Sequence, residues 1–475
     1  MFVGVATALA LSLAGPLLAQ AQALLKPCRL SGVEHEVVCG QLQRALDPTA
    51  PAGRMITLHF AVLPALARNK KPDPVFFFAG GPGQSAIDLA GPLAQRLARF
   101  ANRRDIVLID QRGTGRSAPL KCEEERATRP LRELADVQWQ TDQLIACRQA
   151  LAKLPHGDLR QYTTTIAMQD VEAVRRALGA ERINLIGASY GTRAVLEYLR
   201  QYPQRVRRAV IDGVAPPDMV LPAAFSLDNQ AAFDQMFVAC EKEPACAARY
   251  PHLRQQWRDL LASLPRELTL PHPITQREER LTLTREMVVA MVRQPLYVPA
   301  LAAALPLAVS EAAQGSFLPL LGLGGARRGM GLAQGMHFSV VCAEDMPRTS
   351  TDSPSPDFGN GFVDLYRRVC ADWPRGDVPA AFYSVPSAPV ATLVLSGGAD
   401  PATPPRHGQR VTQALGTKAR HIVVAQAGHG VMGVGCMRDV LFRFVDAATD
   451  EGALKVDAGC VQSVPRPGAY LPPTP

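Results

Sequence analysis

The chain lacks most of the signatures that mark a metal-, nucleotide- or nucleic-acid-dependent protein. Its 475 residues contain no His-Glu-x-x-His and no Gly-x-x-x-x-Gly-Lys-Ser/Thr, which excludes a zinc-protease helix and a P-loop. Gly113 and Gly115 lack the third glycine of a dinucleotide-binding turn, and no helix with an acidic residue at the right distance follows them. No two of the ten cysteines are spaced Cys-x2-Cys, and no Cys/His tetrad has ligand spacing, so neither metal nor other cofactor is expected. Basic residues outnumber acidic ones, 51 to 43, for a net charge of +8, yet basic runs stop at pairs such as Arg103-Arg104 and Arg207-Arg208. That scatter suits a solvated surface, and no nucleic-acid partner is expected. Beyond residue 23 no apolar stretch is long enough to cross a bilayer; residues 301–309 are too few and include Pro306.

What is present starts with residues 1–23, which are uncharged, apolar through Leu18 and end in two small-x-small sites, Ala19-Gln20-Ala21 and Ala21-Gln22-Ala23. They read as a secretory signal peptide without the usual basic n-region; the alternative is an uncleaved anchor. An even number of cysteines behind such a leader favours disulfides and a secreted or periplasmic location. The cysteines fall in local pairs, 28/39, 122/147, 240/246, 342/370 and 436/460. Sequence does not choose among connectivities, and pairing of nearest neighbours is the expectation.

Apolar strand-like runs then alternate with helical stretches. Residues 55–63 alternate like a half-buried strand, whereas 75–79 and 106–109 are continuous apolar runs of the buried parallel kind. Helical patterns cover residues 131–154 and 166–178, with Gly179 as the C-cap of the second, and strands are expected at 183–186 and 206–211. Residues 24–47 show little periodicity. From about 216 to 386 the strand rhythm stops; it resumes at 390–395 and 421–424 and closes with a helix at 436–446. The predicted fold is α/β, a mostly parallel central sheet flanked by helices. Its core is residues 24–215 and 387–475, interrupted by a mostly helical lid insertion at 216–386.

Gly187-Ala188-Ser189-Tyr190-Gly191 lies between the strand at 183–186 and a helix-compatible run from Thr192, the G-x-S-x-G context of a nucleophile elbow. Small residues two before and two after the serine let a strained turn pass between strand and helix. A serine hydroxyl needs a base, and the base needs an acid to fix its tautomer. Asp400, after the strand at 390–395, and His429, after the strand at 421–424, complete the order Ser, Asp, His of the α/β-hydrolase fold. Two backbone donors for an oxyanion are assigned to Tyr190, next after the serine, and to Gly81 of Gly80-Gly81-Pro82-Gly83, directly after the strand at 75–79.

Together with Asp110-Gln111-Arg112-Gly113-x-Gly115-x-Ser117 and Gly80-Gly81-Pro82-Gly83-Gln84-Ser85, these residues resemble the tripeptidyl aminopeptidase (TAP) group, within the proline iminopeptidase-like branch of the α/β-hydrolases. Cys342-Ala343-Glu344-Asp345, Cys370-Ala371-Asp372-Trp373 and Gly428-His429-Gly430 extend the likeness over nearly the whole mature chain. Ala79 departs from it, standing where many relatives have a histidine. The resemblance implies a secreted serine exopeptidase that releases short units from free N-termini without a cofactor, its partner a peptide substrate. A carboxylesterase acting on small esters is the alternative, and a lidded fold that only binds peptides is a third reading. By analogy with the lid acids of this branch, Glu344 and Asp345 are candidates for binding the substrate amine, with ordinary salt-bridged residues as the alternative. Asp110 and Arg112 are expected to serve structure, as a buried ion pair or a loop brace.

Overall fold

A computed structural model of the protein describes residues 25–122, 128–325, 331–349, 355–387 and 390–472. The expected leader, residues 1–23, lies outside the described residues. Strands β1 (Leu25–Cys28), β2 (Val37–Ala45), β3 (Met55–Leu63), β4 (Val75–Phe78), β5 (Ile106–Ile109), β6 (Ile183–Ala188) and β7 (Val206–Asp212) precede a small hairpin, β8 (Arg266–Pro271) and β9 (Glu278–Leu283). Then follow β10 (Thr392–Gly397) and β11 (Ala419–Val424). Among the described residues the main sheet has nine strands in the order β1-β2-β3-β5-β4-β6-β7-β10-β11. From β5 to β11 neighbours run parallel, while β1, β2 and β3 add an antiparallel edge.

The period of two in an extended chain, with both faces covered, explains why the central strands β4 and β5 are apolar throughout. In β4, Val75 and Phe77 enter one core with Leu93, Phe100, Val440 and Phe444, and Phe76 and Phe78 enter the opposite one with Met168, Val171, Val195 and Val411. Helices Ala90–Arg96 and Met437–Asp446 cover the first face, and Thr164–Ala177, Tyr190–Gln201 and Pro405–Leu415 the second. Gly179 (φ +67°) ends Thr164–Ala177 as expected.

The chain leaves the sheet at Asp212 and returns at Thr392 to lie beside the strand it left. In between, helices including Leu221–Lys242, Leu253–Ala262, Arg285–Leu296 and Leu305–Ala313 close around a core of their own, with Phe233, Trp257, Val292 and Phe317. The β8–β9 hairpin also belongs here and was not expected. Helix Val137–Leu151 starts anew at Asp136, whose side chain accepts the N–H groups of Gln138 and Trp139, so the expected 131–154 helix is broken in two. Leu131, ahead of that break, joins the core of the insertion rather than that of the sheet.

All five disulfides join nearest neighbours: Cys28–Cys39, Cys122–Cys147, Cys240–Cys246, Cys342–Cys370 and Cys436–Cys460. Cys28–Cys39 ties β1 to β2, which makes two strands of the segment expected to be an irregular lead-in.

Candidate active site

Ser189 is the hinge between β6 and helix Tyr190–Gln201, and its backbone sits at φ 56°, ψ −126°, a conformation that side chains rarely adopt. The strain is held from three sides. Ser189 N–H donates to Asp212 O (2.9 Å), and Ser189 O accepts from Thr192 N–H (2.9 Å) and Thr192 Oγ1 (2.6 Å). A Cβ on Gly187 would stand 2.4 Å from Gly191 O, and one on Gly191 would stand 2.2 Å from Phe78 O. Strand, turn and helix therefore close to this distance only because both flanking positions are glycine.

His429 and Asp400 come from loops after β11 and β10 and meet with Nδ1 2.8 Å from Oδ2. Asp400 is fully buried and further accepts from Ala402 N–H (2.8 Å), Thr403 N–H (2.9 Å) and Thr403 Oγ1 (2.8 Å). Burial alone would raise its pKa, but the His429 charge and these donors outweigh it and hold the carboxyl below the usual range. His429 is fixed on its other side by Tyr297, whose carbonyl accepts the His429 N–H (3.1 Å) and whose ring meets the imidazole edge to face at 5.2 Å. Thr403, 3.2 Å from His429 Nδ1, was not singled out in the sequence, although a threonine three residues after a loop aspartate is a common turn arrangement. Nor was Asp212, which accepts the N–H groups of Val431 and Met432 just beyond His429 (each 2.8 Å to Oδ2). Burial pushes its carboxyl up to about 6. Its sequence signal is position, at the carboxyl end of a buried parallel strand.

The loop after β4 lies against the serine: a Cβ on Gly80 would be 3.1 Å from Ser189 Cβ. Gly80 N–H is engaged by Gln84 Oε1 (3.2 Å), and Gly81 adopts φ +113°, open to glycine alone. Asp110 anchors this loop, accepting from Ser85 Oγ (2.6 Å) and the N–H groups of Ile87 and Arg116. Arg112 does not pair with Asp110. It is bidentate to Asp170, through Nε–Oδ2 at 2.7 Å and Nη2–Oδ1 at 3.0 Å. Each is thus a separate brace; a chain-distant partner on helix Thr164–Ala177 leaves no mark in the local motif.

Glu344 and Asp345 lie in a buried ion-pair network beneath the elbow helix. Both are buried, and neither lines the cavity over Ser189. Asp345 binds Arg193 Nη1 (3.1 Å) and accepts Leu221 N–H (3.0 Å), while Glu344 accepts Thr164 N–H (2.7 Å) and Thr164 Oγ1 (3.0 Å) and lies 3.7 Å from Arg193. In this structure their charge serves Arg193, a fully buried guanidinium on the elbow helix that needs countercharge. Arg193, Tyr190 and Thr164 form one network, with Tyr190 OH 2.6 Å from Thr164 Oγ1. Burial drives the Glu344 carboxyl up to about 7 against the pull of Arg193, which stands nearer Asp345.

Ser189, His429, Gly80, Gly81 and Tyr190 all line one cavity of about 1180 Å³, floored by the carboxyl ends of the strands and roofed by the insertion. The roof includes His337, which bonds Pro82 O (3.1 Å) and Tyr366 OH (2.7 Å) and so ties helix Gln334–Glu344 to the Gly80–Gly81 loop. Among the described residues no three of His, Cys, Asp or Glu are grouped as metal ligands.

Comparison with known proteins agrees with this architecture. A family model for the alpha/beta hydrolase fold matches residues 73–435. "Serine protease Hip1" of Mycobacterium tuberculosis is 27% identical over 436 residues, 82% of each chain. "Tripeptidyl aminopeptidase" of Streptomyces lividans is 28% identical over 211 residues, covering 42% of this chain and 39% of that one. "Proline iminopeptidase" of Xylella fastidiosa is 27% identical over 148 residues, covering 31% and 34%.

Proposed function

The chain belongs to the α/β-hydrolase fold family, and on that premise we propose that it is an exported serine peptidase that removes tripeptides or other short units from the N-termini of peptides. The observation that carries the reading is His429, backed by the buried Asp400, facing the same cavity as a strained elbow serine. In this reading Ser189 Oγ attacks the scissile carbonyl while His429 Nε2 takes its proton, and Asp400 keeps the Nδ1 proton in place and offsets the imidazolium charge. The oxyanion is received by the N–H groups of Gly81 and Tyr190. Occupation of the Gly80 N–H by Gln84 favours Gly81 over its neighbour. His429 then gives its proton to the departing amine, leaving an acyl-enzyme that water hydrolyses by the same steps in reverse order.

Peptide over ester is supported by the similarity to a serine protease and a tripeptidyl aminopeptidase. A cavity of about 1180 Å³ is large enough for several residues. Export is supported by five disulfides, which persist in oxidising compartments. No helix among the described residues is long and apolar enough to cross a membrane. The test is turnover of aminoacyl and tripeptidyl arylamides beside short p-nitrophenyl esters. Release of arylamine, with the intact N-terminal unit found by mass spectrometry, is the expected result. Turnover of esters alone would replace the peptidase with a carboxylesterase.

A further inference from the structure

The charges around the cavity are one-sided. Arg96, Lys121, Arg129, Arg293 and Arg438 line it, against a single carboxylate among the described residues, Asp212. Asp212 is committed to the N–H groups of Val431 and Met432. Arg129 has an ion-pair partner in Glu133 (3.5 Å), whereas the other four cations have none among the described residues. Arg96, Lys121 and Arg438 are exposed at the rim, where water serves them. Arg293 is different: it is half-buried, and its guanidinium carbon lies 4.5 Å from the centre of the Phe362 ring.

Its place on the helix matters. Arg293 and Tyr297 are four residues apart at the end of helix Arg285–Leu296, on one face and about 6 Å from one another along the axis. Tyr297 is the residue that grips His429 through both carbonyl and ring. Arg293 therefore stands one helical turn from the imidazole's own support, laid on an aromatic shelf that orients its planar fork while leaving the N–H edges for a ligand. Packing against Phe362 accounts for the methylene stem and the ring contact, but not for a cavity lining of one sign, which raises the local concentration of anionic ligands. The partner such a fork fits is a carboxylate, held bidentately.

We propose that Arg293 sets the specificity of the cleft and that its preferred substrates carry a carboxylate near the scissile bond, in a peptide an Asp or Glu side chain. This rests on the peptidase reading for the kind of substrate, and the experiment separates the two. C-terminally amidated tripeptides with a single Glu at each position in turn, and their Gln counterparts, are titrated by calorimetry into the Ser189→Ala protein, which binds without turnover. At one position or more, Glu should bind about tenfold tighter than Gln. The difference should fall below about threefold when Arg293→Gln is added, persist in part with Arg293→Lys, and shrink as salt is raised from about 0.05 to about 0.5 M. Equal binding of Glu and Gln peptides at every position, no binding by any of them, or a preference that survives Arg293→Gln would each overturn the proposal. Wild-type turnover of the same peptides as arylamides is read separately. If none is cleaved the peptidase reading fails, while the binding comparison still decides the role of Arg293.

Discussion

At the scale of single residues, the site is a set of side chains whose buried partners decide what each can do. Asp400 is saturated with donors and held in its charged form, so Asp400→Asn should lower kcat by about 10⁴-fold without unfolding the protein, since the amide orients the imidazole in the wrong tautomer. Steady-state kinetics with a thermal melt on the same sample checks both halves. Glu344 is the opposite case. Its pKa rises from 4.5 to about 7 on folding, chiefly through burial, so the folded chain holds that proton more tightly than the unfolded one. The contribution of this proton to stability is fully present below about pH 4.5 and is lost as pH rises through about 7. Glu344→Gln should therefore flatten the fall in Tm across that interval, and unchanged slopes would show that Glu344 is charged throughout. The placement of Ser189, Asp400 and His429 beyond strand ends was legible because each sits in a short motif directly after a strand. Arg193, Asp170 and Thr164 were not, since their partners lie 100 residues or more away or on another element, as with Arg193 and Asp345, 152 apart.

At the scale of elements, backbone closeness governs the elbow. Gly191→Ala places a Cβ 2.2 Å from a strand carbonyl that cannot swing aside, and should destabilise the protein by about 2 kcal/mol or more, with activity lost in parallel. Denaturant titration measures the first. Gly179→Ala meets no neighbour and suffers only from φ +67°, about 1 kcal/mol, which makes it the control for positive-φ strain without a clash. The parallel strands could be read from sequence because burial on both faces leaves continuous apolar runs. The edge strands β1 and β2 and the hairpin β8–β9 could not, because a strand such as Arg266–Pro271 (RELTLP) alternates polar and apolar over so few residues that its pattern merges with a loop. Helix 131–154 was overextended for a different reason: Asp136 caps a new helix in mid-pattern, and the composition on either side is equally helix-compatible.

At the scale of the molecule, the insertion is bolted to the sheet through buried carboxylates. Arg193 on the elbow helix holds Asp345, Asp228 on helix Leu221–Lys242 holds Arg406 (2.9 Å) and His407 (3.0 Å), and Cys342–Cys370 staples two roof helices. Roof and floor should unfold as one cooperative unit, and Asp345→Asn, which strands a buried guanidinium with only the more distant Glu344, should lower stability by about 3 kcal/mol while keeping a single calorimetric transition. Two separate transitions would show that the insertion melts on its own. The insertion as a block was legible from the broken strand rhythm; that it brings Arg293 to the same cleft as Arg96 and Lys121 of the sheet core was not, because the three share no motif and meet only when the chain has folded. The proposed chemistry requires that Ser189 be activated by His429. The most direct measurement is the intact mass and peptide map of the protein after treatment with an aryl fluorophosphonate, in the wild type and in His429→Ala. One adduct confined to Ser189, formed at least about 10³-fold more slowly in the variant, is the predicted result; an adduct elsewhere, or equal rates in the two proteins, would contradict it.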